Sequence, residues 1–182
     1  MEEAQLYPMV SKSIVKISIG VSFHHGYVSD CEAHSADVIA SAKNFPMPLE
    51  NFEVALVFPD GNKYFPRKDN IKIVGNIALI HCNFPGDGIN TNLVQALILS
   101  TRPLCMSDKV YTYSAYKGYT GVITPGFIIE LQEDYFHHNC SATKRSQDGA
   151  LVINTSGELV GLCYAFERYL ISATVRAILR VY

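Results

Sequence analysis

The sequence has no Trp, few charged residues and no long uninterrupted apolar segment. Charged side chains make up 18% of the 182 residues, against roughly 25% in an average soluble domain. Because apolar residues make up 48%, the chain can bury enough surface to offset the entropy lost on ordering, which excludes intrinsic disorder. No apolar run approaches the ~18 residues of a membrane-spanning helix. We therefore expect a folded domain of ordinary size with no membrane partner.

The chain has no excess of positive charge. Its 15 Lys and Arg residues are outnumbered by 17 Asp and Glu residues, which gives a formal net charge of −2. A protein that binds nucleic acid needs clustered Lys and Arg side chains to neutralise phosphates. The composition therefore argues against a nucleic-acid partner.

The five cysteines are dispersed and include no Cys-x-x-Cys pair; they are Cys31, Cys82, Cys105, Cys140 and Cys163. An odd, scattered set does not form the disulfide framework of a small secreted domain. The first residues, Met-Glu-Glu-Ala-Gln, lack the basic start of a secretory signal and the Arg-rich composition of a transit peptide. These features predict reduced thiols and a cytoplasmic or nuclear location.

Short segments rich in Val, Ile, Tyr and Phe recur roughly every ten residues, separated by Gly, Pro, Asn and Asp, which is typical of a β protein. The predicted strands are residues 13–21, 38–42, 52–58, 71–74, 76–82, 109–113, 122–131, 150–154 and 159–166.

Turn residues and one helical pattern complete this prediction. Residues 154–157 (Asn-Thr-Ser-Gly) form a turn between the last two strands, so 150–166 is predicted to be a hairpin. Only residues 173–181 show a helical period of 3.6, and residues 91–100 fit either a helix or a strand. Many short strands and one C-terminal helix favour closed β-barrels, which leave no exposed sheet edge.

Three segments resemble landmarks of the HtrA/Deg-like, trypsin-type proteases. Residues 52–64 resemble a first-barrel strand of that family, its Asp-Gly turn and the strand that follows the turn. Residues 74–80 resemble the Asp-Ile-Ala-Leu-Leu stretch that comes next. Residues 147–162 resemble the stretch around Gly-Asn-Ser-Gly-Gly and the later Gly-Glu-Val-Val-Gly-Ile. Residues 38–45 are similar to the strand that ends in Thr-Ala-Ala-His.

The resemblance covers residues 13–182 and implies an all-β fold of two six-stranded antiparallel β-barrels with a C-terminal helix. The first barrel is expected at about 13–85, the second at about 100–172 and the helix at about 173–181, after an N-terminal extension of residues 1–12. These parts form a single protease-type domain.

Catalysis in that family needs a Ser nucleophile, a His base and a buried Asp that orients the His. The resemblance places Lys43 at the His position, Asn76 at the Asp position and Gln147 at the Ser position. A Gln amide is no nucleophile, an Asn side chain does not stabilise an imidazolium as a carboxylate does, and an ordinary lysine is protonated near neutrality.

The turn that would bind the oxyanion differs as well. Its equivalents here are Arg145, Gln147, Asp148 and Gly149, and the family has Gly where this chain has Arg145 and Asp148. A negative charge on Asp148 would repel an oxyanion where N–H donors are needed. The resemblance therefore implies a protease fold without catalysis and without a cofactor.

Ser146 provides one enzymatic alternative. If the alignment shifts by one residue, Ser146 becomes the nucleophile of a serine-type endopeptidase, with Lys43 as its base. That base would have to lie out of water, so that burial favours the neutral amine. The simpler interpretation is that Ser146 is one polar residue of the loop 141–148.

A second alternative is a zinc-stabilised interaction domain. His24, His25, Cys31 and His34 lie within eleven residues, and residues 137–140 read His-His-Asn-Cys. These are ligand types that zinc prefers, although the spacings match no established zinc pattern and adjacent His residues point to opposite faces of a strand. The simpler interpretation is solvated loop histidines and a buried thiol.

A protease fold without catalysis retains a strand edge that binds extended peptides by β-augmentation. The resemblance places that edge at Leu162, Cys163, Tyr164 and Ala165. The sequence therefore predicts a pseudoprotease that binds or regulates a protein or peptide partner, including another copy of itself or an active homologue.

Overall fold

The chain divides between two units, each built mainly from antiparallel strands. The computed structural model describes residues 3–116, 119–141 and 149–182, with side-chain surroundings described for 4–114, 121–141 and 149–182. The N-terminal unit is Pro8–Leu97, and the C-terminal unit combines Ile98–Tyr182 with the described part of Met1–Tyr7. No helix among these residues is both long and apolar enough to cross a membrane.

The N-terminal unit is a seven-stranded antiparallel sheet. Its strands are β1 (Ile14–Ile19), β2 (Ser22–Glu32), β3 (Ser35–Ser41), β4 (Val54–Val57), β5 (Lys63–Tyr64), β6 (Ile71–Val74) and β7 (Ile77–Asn83), in the spatial order β5-β4-β1-β2-β3-β7-β6. A short helix, α1 (Leu6–Val10), precedes β1. Single 3₁₀ turns occupy Glu3–Gln5, Ser11–Ser13, Ala42–Asn44, Leu49–Asn51 and Lys68–Asn70.

The expected closed six-stranded barrel is wrong for this unit. Within residues 8–97, all of which the structure describes, no pairing joins the two end strands β5 and β6. The segment between them contains Pro66, which has no N–H for a ladder, and then the 3₁₀ turn Lys68–Asn70. These residues divide the return strand in two and leave the sheet open.

Side chains of alternate strand residues form the core of this unit. Val15, Ile17 and Ile19 of β1 are buried, whereas Lys16 between them is exposed. This period of two is the pattern by which the sequence predicts the strand. Burial raises the pKa of the Cys82 thiol on β7 to about 12, so the thiol stays protonated.

The C-terminal unit is a closed six-stranded barrel, as predicted. Its strands are β8 (Lys109–Tyr116), β9 (Tyr119–Leu131), β10 (Tyr135–His138), β11 (Leu151–Asn154), β12 (Leu159–Phe166) and β13 (Leu170–Thr174), joined in the order β10-β13-β12-β11-β8-β9. The predicted hairpin over 150–166 is confirmed by the antiparallel pairing of β11 with β12. Its turn is closed by Asn154, whose Oδ1 accepts the N–H groups of Ser156 and Glu158, each at 3.0 Å.

The C-terminal helix is shorter than predicted. It is α2 (Val175–Leu179), and Thr174 caps its start by accepting the Ala177 N–H on Oγ1 at 3.3 Å. Residues 91–100 form neither a helix nor a strand; Leu99 alone makes a β-bridge, to Leu159. All five cysteines lie within the described residues and are free thiols.

Gly161 of β12 allows close packing inside the C-terminal barrel. A Cβ atom added there would lie 2.6 Å from the Ala173 carbonyl oxygen and 2.7 Å from the Phe136 ring. We expect Gly161→Ala to lower the free energy of unfolding by about 1–3 kcal/mol, because a backbone atom must move to admit the methyl group. Urea unfolding followed by circular dichroism measures this, and a value within ~0.5 kcal/mol of wild type would contradict the packing described.

Candidate functional site

The residues at the first two catalytic-equivalent positions lie at the same end of two paired strands. Lys43 is in the 3₁₀ turn Ala42–Asn44 that follows β3, and Asn76 directly precedes β7. Ser41 pairs with Ile77, and beyond that pair the Ala42 N–H donates to the Asn76 carbonyl at 3.0 Å. The backbone therefore brings Lys43 and Asn76 side by side.

Both side chains are exposed. A lysine becomes a general base only where burial or a neighbouring cation favours its neutral form. The exposure of Lys43 does not supply the desolvation that a Ser146–Lys43 pair requires.

Gln147, which the resemblance places at the Ser position, lies outside the described residues, together with Arg145, Ser146 and Asp148. Gly149 is described and buried, and its φ of 113° is in the left-handed region that favours glycine. Gly149 is the last of the residues that the resemblance assigns to the oxyanion turn, and it lies two residues before β11.

The predicted peptide-binding edge lies on β12, which is one of the six strands of the closed barrel. Leu162 pairs with Leu151 on one side and with Ala173 on the other. Cys163 donates its N–H to the Ala150 carbonyl at 2.9 Å and pairs with Ser172 on its other side.

Beyond Cys163, β13 is the one described strand that pairs with β12. Ala165 pairs with Ile171, and Phe166 pairs with Leu170. Tyr164 and Ala165 are half-buried, and Phe166 is exposed. Within the predicted edge, residues 164–165 therefore lack a described strand on one side. Phe166 continues this stretch.

The candidate zinc ligands do not form a metal site. His24 and His25 lie within β2, Cys31 lies near its end, and His34 is in the turn before β3. Across the described residues, no three His, Cys, Asp or Glu side chains come together in a way that could hold a metal ion. The interpretation of His24 and His25 as loop residues is wrong, because both belong to an eleven-residue strand.

The histidines of the segment 137–140 lie on a strand and not in a solvated loop. His137 and His138 lie on β10, and the His137 ring Nδ1 is 3.3 Å from Glu130 Oε2. His138 is completely buried, with Nε2 at 2.8 Å from Ser172 Oγ and 3.5 Å from Cys163 Sγ. The Ser172 hydroxyl donates to Cys163 Sγ at 3.0 Å.

This buried cluster of His138, Ser172 and Cys163 contains residue types used in nucleophilic catalysis, but it is not arranged for that chemistry. All three side chains have no exposed surface, so no substrate can reach them. Burial raises the pKa of the Cys163 thiol to about 12, which keeps the sulfur protonated and unreactive. The cluster is therefore a structural part of the barrel core.

The sequence gives one signal for the burial of His138. Phe136 and His138 are two residues apart and therefore share one face of a strand, and Phe136 is a typical core residue. Burial lowers the pKa of His138 to about 4, and a smaller effect comes from the neighbouring His137.

Because His138 stays neutral in the folded barrel, acid should destabilise the protein through this residue. Above pH 6.5 the side chain is neutral in both states; between pH 6.5 and about 4 the unfolded chain takes up a proton that the folded chain does not. We expect this to reduce the free energy of unfolding by about 1.4 kcal/mol per pH unit, or about 3 kcal/mol in all.

Urea unfolding of wild type and His138→Gln at several pH values between 7 and 4 measures this effect. The difference in stability between the two proteins should shrink as the pH falls, because only the wild type carries the penalty. His137→Gln, which changes the half-buried neighbour, should keep most of the wild-type slope, because burial is the larger cause of the lowered pKa of His138. Equal slopes for wild type and His138→Gln would contradict a buried neutral His138.

Comparison with known proteins identifies the fold. No protein-family model and no curated protein sequence matches the chain. Among solved structures, the chain is similar to Deg5, with a TM-score of 0.72 and 15% identity over 99% of this chain and 94% of that one. It is equally similar in TM-score, 0.72, to Rv3671c from M. tuberculosis H37Rv, a serine-to-alanine mutant described as an inactive form, with 14% identity over 99% and 91% of the two chains. At these identities the similarity establishes the fold alone, and that fold is the trypsin-like fold of HtrA-type proteases.

Proposed function

We propose that this chain is a catalytically inactive trypsin-like protein, a pseudoprotease, that binds protein or peptide partners. The observation that carries the proposal is the position of Lys43 and Asn76 on neighbouring backbone segments, where the fold resemblance expects a His and an Asp. The resemblance to HtrA-type proteases assigns those positions, and the residues in them support the loss of catalysis.

The two side chains do not supply the proton transfers of the protease reaction. The base must accept a proton from the nucleophile, and its partner must be a carboxylate that stabilises the resulting cation. The Lys43 side chain is exposed, and a lysine ammonium has donors and no acceptor for a proton. Asn76 carries no charge to offset a cation.

The alternative of a serine hydrolase that uses Ser146 with Lys43 makes a different demand. Lys43 must lose its proton near neutral pH, and burial is the ordinary means to achieve this. The exposed position of Lys43 favours the inactive protein over this alternative.

A fluorophosphonate probe separates the two functions. We expect the folded protein to show no added mass after incubation with the probe, because no activated serine is present; intact-protein mass spectrometry measures this. An active trypsin-like protease labelled in parallel is the control for probe reactivity. Stoichiometric labelling that disappears in Ser146→Ala would overturn the proposal and establish Ser146 as a nucleophile.

The binding function is proposed for the C-terminal part of β12. Ala165 and Phe166 have described pairing to β13 on one side, and the Phe166 side chain is 48% exposed. An extended segment of a partner, including another copy of this chain or an active homologue, could add backbone hydrogen bonds there while an apolar side chain contacts Phe166.

Replacement of the exposed aromatic ring tests this surface. We expect Phe166→Asp to weaken binding of extended peptides by about tenfold, because the contact loses its apolar partner and gains a charge. Peptides of about ten residues are first selected from an immobilised array, and their affinities are then measured by fluorescence anisotropy.

Phe127→Asp is the matched control, since Phe127 is also 48% exposed in the same unit but lies on β9. This variant should bind the selected peptides as the wild type does. Equal affinities of Phe166→Asp and wild type would exclude β12 as the binding edge, and equal losses in both variants would show a nonspecific effect of the added charge.

A further inference from the structure

The N-terminal unit has a strand edge of its own. β6 is an end strand of the seven-stranded sheet and pairs with β7 from Ile71 opposite Ile80 to Val74 opposite Ile77. No described residue pairs with its other side. In an antiparallel sheet, alternate residues of such an edge direct their N–H and C=O groups away from the sheet, where another strand can bind them.

A groove of about 580 Å³ lies beside this edge. It is lined by Met47, Pro48, Leu49, Glu50, Lys68, Ile71 and Ile73. Ile71 and Ile73 are half-buried and share one face of β6, whereas Met47 is 73% exposed. A strand added to β6 would direct every second side chain toward this face, at the spacing of the two isoleucines. Apolar side chains at alternate positions therefore fit the groove.

The charges at the edge select the remaining side chains of the added strand. Lys72 is exposed on the face of β6 opposite the groove, and Lys68 lies in the groove. Neither has an ion pair with any described residue, and Glu50 is the one acidic residue of the groove lining. An acidic side chain directly opposite Lys72 would form a favourable cross-strand pair, and a basic one would be repelled.

We propose that the open edge of β6 binds an extended protein segment in which apolar and acidic residues alternate. The apolar residues occupy the groove beside Ile71 and Ile73, the acidic residues face Lys72, and the backbone continues the sheet. The proposal uses β6 and its groove and involves neither β12 nor the Lys43 and Asn76 side chains, so it does not depend on the proposed loss of catalysis.

A lysine on an edge strand also has a protective role, because it discourages pairing between identical edges. Two copies of β6 would place like charges near each other, whereas an acidic segment would not. Lys72 therefore disfavours a second copy of this chain as the occupant and favours a partner of opposite charge.

The test uses the full chain and three fluorescein-labelled six-residue peptides with blocked ends. The first alternates Glu and Ile, the second has the same composition with the three Glu residues before the three Ile residues, and the third has Lys in place of Glu. Fluorescence anisotropy should show saturable binding of the alternating Glu peptide alone. Amide hydrogen exchange should show new protection at residues 71–74 when that peptide is bound.

Lys72→Glu should change the affinities of two peptides in opposite directions, which a loss of structure would not do. This variant should bind the Glu peptide about fivefold more weakly and the Lys peptide about fivefold more tightly than wild type does, since the cross-strand pair is inverted. Lys63→Glu, on the other end strand β5, is the matched control and should leave both affinities unchanged.

Three outcomes would overturn the proposal. They are no binding of the alternating Glu peptide, protection on β12 in place of β6, and formation of a dimer through β6 in sedimentation experiments. The peptide experiment monitors β6 of the N-terminal unit, so no binding there would leave the fluorophosphonate test and the Phe166→Asp test of the proposed function open.

Discussion

The antiparallel ladder between β3 and β7 determines what the N-terminal unit presents to its surroundings. Its seven residue pairs end with Ser41 opposite Ile77, and the hydrogen bond from the Ala42 N–H to the Asn76 carbonyl continues it. A shift of one strand by one residue in this register would turn its buried side chains to the opposite face, so the pairing is strongly constrained by the core. The same ladder therefore fixes Lys43 beside Asn76 and, through β7, supports the edge strand β6.

This dependence explains how the backbone of the fold can be kept when different side chains occupy these two positions. The contacts that define the ladder are backbone hydrogen bonds and buried apolar side chains, and Lys43 and Asn76 contribute exposed side chains. Exposed substitutions away from caps and buried networks usually change stability by less than about 0.5 kcal/mol. Different side chains at these two positions are therefore compatible with the same backbone, and the fold by itself carries no information about activity.

Much of the fold could be predicted from the sequence, because short apolar runs and turn residues report directly on half-buried strands. The hairpin around Asn154 is a clear case. The strand β2 was not predicted, because His24 and His25 interrupt its apolar pattern. Its burial depends on neighbours far along the chain. The same applies to His138, whose burial results from closure of the barrel around it. For the candidate site, the sequence identified Lys43 and Asn76, but their exposure depends on tertiary structure.

The break between β5 and β6 could not be predicted from the family resemblance, because that resemblance implies a closed barrel. Pro66 removes one ladder donor, and the turn at Lys68–Asn70 separates the two short strands. Each strand then pairs on one side only, and the backbone groups of β6 that a closed barrel would satisfy internally remain directed outward. A barrel that closed completely would have no such edge. The interruption therefore leaves β6 with outward hydrogen-bonding groups, an adjacent apolar groove and the exposed Lys72, which are the features that the proposed acidic segment would contact.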